Sequence, residues 1–160
     1  MQVAARGTID VERARVWERL WDVQKLIGYI PGVKEVKTLE EGKHYSALVS
    51  DRVGPLQVSF NLDIVVETVD AGGLLRAHVS GKDGRFASTL RQVVELRLED
   101  AASGGTGLAV TADITLLGKL GSLGSGLIRS RATQVLSNFV TRLKQDLEAQ
   151  PENDPASSTK

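Results

Sequence analysis

Leu56-Gln-Val-Ser-Phe60-Asn-Leu-Asp-Ile-Val-Val66-Glu-Thr-Val69 is the stretch that decides the fold. Leu56, Val58, Phe60, Leu62, Ile64 and Val66 recur with a period of two, and Gln57, Ser59, Asn61, Asp63 and Glu67 fill the alternate positions. That is the pattern of a strand with one face buried and one face wet. The alternation returns in residues 85–100 with Phe86, Leu90, Val94, Leu96 and Leu98, and in residues 106–117 with Leu108, Val110, Ala112, Ile114 and Leu116. Turn residues punctuate the series at Glu41-Gly42, Gly54-Pro55, Ala71-Gly72-Gly73, Lys82-Asp83-Gly84 and Ser103-Gly104-Gly105. Strands joined by such short turns pair antiparallel, and a single apolar face means that the sheet is covered on one side only.

Upstream, Val3, Ala5 and Ile9 alternate with polar neighbours and predict a first strand. Asp10 is expected to cap a helix reaching residue 21, and Asp22 a shorter one over residues 23–29 that stops before Pro31. Downstream, Leu127, Ile128, Val135, Leu136, Phe139, Leu143 and Leu147 form one stripe of a long helix over residues 123–150. The order is strand, two short helices, six strands, long helix. It predicts an α+β helix-grip fold: a curved seven-stranded antiparallel sheet wrapped around the C-terminal helix, with the two short helices closing an end. Residues 1–150 read as one domain and residues 151–160, PENDPASSTK, as a disordered polar tail.

Composition narrows the function. Twenty basic residues balance twenty acidic ones, so no net charge draws the chain to nucleic acid. The absence of cysteine removes disulfides, thiolate metal sites and thiol nucleophiles together. Neither a signal-peptide core nor an apolar run of about 18 residues is visible, so the expected location is cytoplasmic. Leu 20, Val 18 and Ile 6 outweigh two Trp, two Tyr and three Phe. Such a supply of branched aliphatics suits a packed core and a smooth apolar cavity equally.

Catalytic groups are hard to assemble. Alternation sends His44 to the face opposite Tyr45, Ala47 and Val49, and His78 to the face opposite Ala77 and Val79. Asp63, Glu67, Glu95, Glu99 and Asp113 also fall on the outer face, so no paired carboxylates converge in a pocket. Tyr45, Ser88 and Gln92 are the polar residues on the inner face, and they are the expected orienting contacts for an apolar ligand. Gly118-Lys-Leu120-Gly-Ser-Leu123-Gly-Ser-Gly126 lacks the spacing and βαβ context of a phosphate loop. It reads as the turn into the long helix and, through Leu120 and Leu123, as a flexible apolar lip. Lys119, Arg129 and Arg131 flank that lip and are the expected contacts to an acidic partner or an anionic membrane surface.

Asp22-Val-Gln-Lys-Leu26-Ile-Gly-Tyr-Ile30-Pro31-Gly32, preceded by Val16-Trp17, resembles the hallmark of the CoxG family of carbon monoxide dehydrogenase subunits. That family belongs to the START-like helix-grip (SRPBCC) superfamily. Val53-Gly54, Gly105-Thr106 and Gly118-x-Leu120-x-x-Leu123-Gly124 leading into Leu127-Ile128 and Phe139 match as well, so that the resemblance spans about residues 2–149. It implies an apolar cavity between sheet and helix. It also implies association with a molybdenum-containing carbon monoxide dehydrogenase or related hydroxylase, tied to the membrane by carriage of a quinone. Some members carry an apolar C-terminal extension; the residues after Pro151 here are polar, which implies only transient contact at the inner face of the membrane.

The expectation is therefore a non-catalytic binding protein without metal or covalent cofactor, holding a lipophilic ligand such as menaquinone or ubiquinone. Ile30 and Pro31 are expected at the rim. Phe60, Leu62, Phe86, Leu90, Leu116, Leu120, Leu123, Leu127 and Ile128 are expected as lining. The alternatives are an assembly or recruitment factor acting through its surface, and a polyketide-cyclase-like enzyme.

Overall fold

The alternating segments pair as the sequence predicts. The computed structural model describes residues 1–149; the predicted tail, residues 151–160, lies outside them. The elements are β1 (Gln2–Ile9), α1 (Arg13–Leu20), α2 (Val23–Gly28), β2 (Val33–Glu40), β3 (His44–Val53), β4 (Leu56–Asp70), β5 (Leu74–Asp83), β6 (Ser88–Asp100) and β7 (Thr106–Leu117). A 3-10 segment (Lys119–Leu123) then leads into α3 (Ser125–Ala149). All pairings are antiparallel, and the strand order is β1-β7-β6-β5-β4-β3-β2. The meander thus runs from β2 to β7, and β1 closes onto β7. This is the helix-grip sheet expected from the alternation.

Register places the apolar positions together. Ala47 faces Leu62, Val49 faces Phe60 and Asp51 faces Val58 across β3 and β4, while Gln92 faces Ile114 and Val94 faces Ala112 across β6 and β7. The core is continuous from Ile9, Val16, Leu20 and Ile27 through Val58, Ile64, Leu96, Leu98 and Leu108 to Leu143 and Leu147.

Helix α3 grips the sheet unevenly. Its buried side chains are Phe139, Val140, Leu143 and Leu147, all in the C-terminal half. That half lies over β1, where a Cβ on Gly7 would stand 2.8 Å from Val140 Cγ1. Lys144 Nζ donates to the Thr8 carbonyl (2.7 Å) and to Glu148 (2.6 Å), and Glu148 accepts the Asp10 N–H at 2.8 Å. The N-terminal half carries no fully buried side chain.

Three boundaries differ from the sequence reading. Helix α1 starts at Arg13 with Glu12 at its N-cap, because the Asp10 amide is tied to α3 and its carboxylate caps nothing; nor does the Asp22 side chain cap α2. Strand β6 starts at Ser88 rather than residue 85. Residues 85–87 are used in a turn where Ala87 takes φ 47°, and the buried Asp83 carboxylate accepts N–H bonds from Ser59 (2.8 Å) and Phe86 (3.0 Å). Helix α3 starts at Ser125 rather than residue 123, because Gly118 (φ 88°) and Gly124 (φ 99°) bracket the 3-10 segment in conformations that disfavour side chains.

Burial pushes the Asp83 carboxyl up, but the backbone N–H groups of Ser59, Phe86 and Arg85 outweigh it and hold the group below its ordinary value. A carboxyl depressed in the folded state adds stability above its unfolded pKa and loses it as pH falls through the folded value. Asp83→Asn is therefore expected to lower stability in urea by about 1–3 kcal/mol at pH 7. The gap to the parent should narrow as pH drops below 3.8. A gap that stays constant down to acid pH would exclude a charged Asp83 as the anchor of this turn.

Candidate functional site

A polar-poor hollow of about 230 Å³ opens where the N-terminal half of α3 stands away from the sheet. Its floor is built by the inward positions of β4 and β7: Val58, Phe60 and Leu62, then Val110, Ala112, Ile114 and Leu116. Leu90, Gln92, Val94 and Leu96 of β6 continue it, and Val49, Asp51 and Val53 of β3 form a side wall. The roof is α3, through Ile128, Arg131, Ala132, Val135, Leu136 and Phe139, which share one helix face. Ile30 and Pro31 stand at the edge. Phe60, Leu62, Leu96, Val110 and Ala112 are buried, whereas Leu90, Val94, Ile114, Leu116, Ile128 and Val135 remain partly exposed although they point inward. Inward aliphatics that the helix does not cover are what makes the hollow.

Polar chemistry within it is sparse. Gln92 is one such group, and its side chain makes no hydrogen bond to the protein among the described residues. Asp51 and Arg131 are the charged members of the lining, and they meet across it. Arg131 Nε donates to Asp51 Oδ2 at 2.9 Å and Nη2 to Oδ1 at 2.7 Å, while Nη1 donates to Gln134 Oε1 at 3.0 Å. The Asp51 carboxylate, against a smaller opposing effect of burial, makes the Arg131 guanidinium still harder to deprotonate. This two-pronged bridge joins the roof to the side wall.

A second network holds the rim. The Tyr29 hydroxyl donates to Asp146 of α3, and its ring meets Phe139 edge-on with centroids 6.3 Å apart. Lys25 Nζ and Arg19 Nη2 lie 3.3 Å and 3.6 Å from the same carboxylate, and Arg142 donates to the Tyr29 carbonyl at 3.2 Å. Burial raises the Asp146 carboxyl, but the Tyr29 hydroxyl, Lys25 and Arg19 overcome it and hold the group below its ordinary value. Burial and then Asp146 push the Tyr29 phenol far up, so it stays a donor. Ile30 and Pro31 follow directly on this clamp.

Of the residues expected to line the site, the structure brings together Ile30, Pro31, Phe60, Leu62, Leu90, Gln92, Leu116 and Ile128. Others lie elsewhere. Tyr45 is 1 % exposed in the core, and its hydroxyl accepts the Gly42 N–H at 2.7 Å, which ties the β2–β3 turn. Ser88 donates to the Phe86 carbonyl and accepts the Leu120 N–H at 2.9 Å, so it anchors the chain rather than facing the hollow. Phe86 lies under the Arg85 guanidinium, 5.6 Å from its ring centroid. Leu120 is 1 % exposed, and a Cβ on Gly121 would stand 2.4 Å from the Leu116 carbonyl oxygen. The expected flexible lip is thus a close-packed turn. Leu123 packs against the core outside the hollow, and Leu127 covers Gly54, whose added Cβ would meet Leu127 Cδ2 at 2.8 Å. Arg131 is not the free surface cation expected, since Asp51 holds it. Arg129 is exposed and donates to the Gln2 carbonyl at 2.7 Å, and Lys119 is exposed.

Asp51 is the charged lining residue the sequence reading missed. The alternation Tyr45, Ala47, Val49, Asp51, Val53 puts its carboxylate on the inner face and was the signal available. Val58, Val94, Val110, Ala112 and Ile114 were legible from the same parity. The histidines do point outward: His44 Nε2 lies against Asp63 Oδ1, and His78 Nε2 is 2.7 Å from Glu67 Oε2. Among the described residues no cluster of three His, Asp or Glu is placed to hold a metal, and no helix is long and apolar enough to cross a membrane.

A seven-stranded antiparallel sheet with two short helices, a long C-terminal helix and an apolar hollow between helix and sheet defines a START-like fold. A conserved protein from Geobacillus kaustophilus superposes with TM-score 0.82 at 17 % identity, over 93 % of this chain and 96 % of that one. A START superfamily protein from Mycobacterium smegmatis superposes with TM-score 0.69 at 12 % identity, over 92 % and 97 %. No curated protein matches the sequence. The pattern of the CoxG family of carbon monoxide dehydrogenase subunits matches residues 7–148, and the chain belongs to that family.

A larger side chain on the roof of an unfilled hollow has space to enter. Ala132→Leu is expected to raise unfolding stability by about 0.5–2 kcal/mol, as cavity-filling changes do. Urea denaturation of the two proteins measures it. A loss of about 1–3 kcal/mol, the signature of an overpacked core, would mean that no usable space exists there.

Proposed function

We propose that this protein is a non-catalytic binding protein that holds a lipophilic molecule, a respiratory quinone of the menaquinone or ubiquinone type, for a molybdenum hydroxylase of the carbon monoxide dehydrogenase type. The observation that carries the reading is the hollow itself: inward aliphatics left partly uncovered, with one unpartnered carboxamide, Gln92, among them. The family and the START-like fold support a ligand-binding accessory role. Ligand pockets commonly enclose about 300–1,000 Å³. At about 230 Å³ this one matches a ring and the start of a chain, with the rest of an isoprenoid tail leaving past Ile30 and Pro31. Each 100 Å² of apolar surface taken from water is worth about 2.5 kcal/mol, so partial enclosure of a tail is enough for retention. Gln92 offers both a donor and an acceptor to the ring oxygens.

Catalysis has little to work with. Asp51, the carboxylate at the wall, is engaged by two guanidinium N–H groups, and both histidines lie on the other face of the sheet. Loading of a water-insoluble ligand calls for contact with a bilayer. Leu117 and Leu127, 53 % and 38 % exposed, carry the basic neighbours Lys119 and Arg129 in the chain. That combination suits an anionic lipid surface.

Native mass spectrometry after incubation with a quinone bearing a short isoprenoid chain tests the binding. The expected result is one quinone per chain, with retention weakened about tenfold or more in Ala132→Leu, whose side chain takes the ligand's space. A parent protein that ignores the quinone at every ratio would end the carrier reading. Co-sedimentation with phosphatidylglycerol vesicles tests the loading surface. Leu117→Ser/Leu127→Ser should reduce the bound fraction severalfold, and an unchanged fraction would remove this surface from the path.

A further inference from the structure

Asp51 and Arg131 do something at the hollow that its apolar walls do not require. An ion pair withdrawn from water is a weak stabilising device, because the cost of desolvation offsets much of the attraction, and apolar residues of similar size serve as well. This pair is placed at the wall of a lipophilic hollow, with side chains 20 % and 29 % exposed for Asp51 and Arg131. Its geometry is fixed from both sides. Asp51 sits in the β3–β4 register opposite Val58, and its carbonyl accepts from Gln57 Nε2 at 3.0 Å; Arg131 is steadied by Gln134 one helical turn on.

We propose that Asp51 is the residue that sets the ligand class: it serves as the built-in counter-ion of Arg131 and makes the hollow selective for uncharged lipophiles over fatty-acid anions. This rests on the reading of the hollow as a lipophile site. A guanidinium beside an apolar cavity is otherwise a carboxylate receptor, since its fork of donors matches two oxygens. Here the two matching donors are already occupied by Asp51. An incoming carboxylate must either break these two charge-assisted bonds or take the N–H groups that remain, and on both routes it faces Asp51 as a like charge beside an apolar wall. An uncharged head meets no such penalty. Asp51 and Gln134 take three of the five N–H groups that a guanidinium carries, so two are left for a carbonyl or hydroxyl, and the Gln92 carboxamide supplies a further contact.

Dodecanol and dodecanoate share a chain and differ only at the head, so their ratio isolates the effect. Both are titrated at pH 7.5, below their aggregation limits, as competitors of the uncharged fluorophore N-phenyl-1-naphthylamine bound to the parent, to Asp51→Asn and to Asp51→Asn/Arg131→Gln, each checked by circular dichroism. The parent should prefer dodecanol at least tenfold. Asp51→Asn should shift the ratio at least tenfold toward dodecanoate, in a manner weakened by salt, and the double variant should return the preference to dodecanol. A parent that binds dodecanoate as well as dodecanol overturns the role of Asp51 whether or not the variants fold, as does a ratio unmoved by Asp51→Asn. Failure of the fluorophore and both competitors to bind any of the three proteins overturns the lipophile site itself, and the selectivity with it.

Discussion

The close approach of α3 to β1 at Gly7 is the constraint from which the cavity follows. A glycine there lets Val140 descend onto the strand, and Phe139, Leu143 and Leu147 follow into the core. The helix is thereby pressed down at one end. The other end carries no fully buried side chain over the strands it crosses. Side chains at Leu90, Val94, Ile114 and Leu116 then point inward without meeting enough of the helix to be buried. The hollow follows from a helix seated on the sheet at one end only, with no residue having to be removed to make it.

Polar groups fix the edges of this arrangement, where apolar packing alone would leave freedom. Ser88 joins the start of β6 to the Leu120 amide, and the Asp83 carboxylate ties the preceding turn to β4. On the opposite side Tyr29 and Asp146, with Lys25 and Arg19, bind the short helices to α3 and so position Ile30 and Pro31. The Asp51–Arg131 bridge spans the uncovered part between them. A site with such a frame changes shape through its side chains and the N-terminal half of α3 more readily than through its strands. Segments with few buried contacts open at the lowest free-energy cost, and α3 before Phe139 is the segment of that kind beside the hollow.

On the proposed reading, function resides in what the cavity excludes as much as in what it attracts. Aliphatic walls accept almost any greasy molecule of suitable width, so they confer affinity without much discrimination. Discrimination comes from the few groups whose desolvation must be offset by a new partner. In the proposed scheme Gln92 favours a hydrogen-bonding head, and the neutralised guanidinium disfavours an anionic one. The carrier role proposed above would be served by modest enclosure, which a hollow of about 230 Å³ provides.

Strand alternation, the order of elements and hence the helix-grip sheet were legible in the chain, because a period of two and a turn residue every few positions are local properties. So was the inward direction of each side chain, Asp51 included, since parity along β3 is fixed once Tyr45, Ala47 and Val49 are known to face the core. Packing, by contrast, settled which inward residues are core and which line a cavity. Tyr45, Ser88 and Leu120 were expected at the site alongside Gln92 and Leu90. Yet Tyr45 reaches Gly42 and Ser88 reaches Leu120, so that of these five Gln92 and Leu90 are the ones left beneath the raised half of α3. That distinction depends on the distance between a helix and a sheet brought together by elements far apart in the chain, and no local pattern carries it. The same distance decided the fate of Arg131: on the helix it is one more basic residue, and across the hollow from Asp51 it becomes half of a neutral bridge.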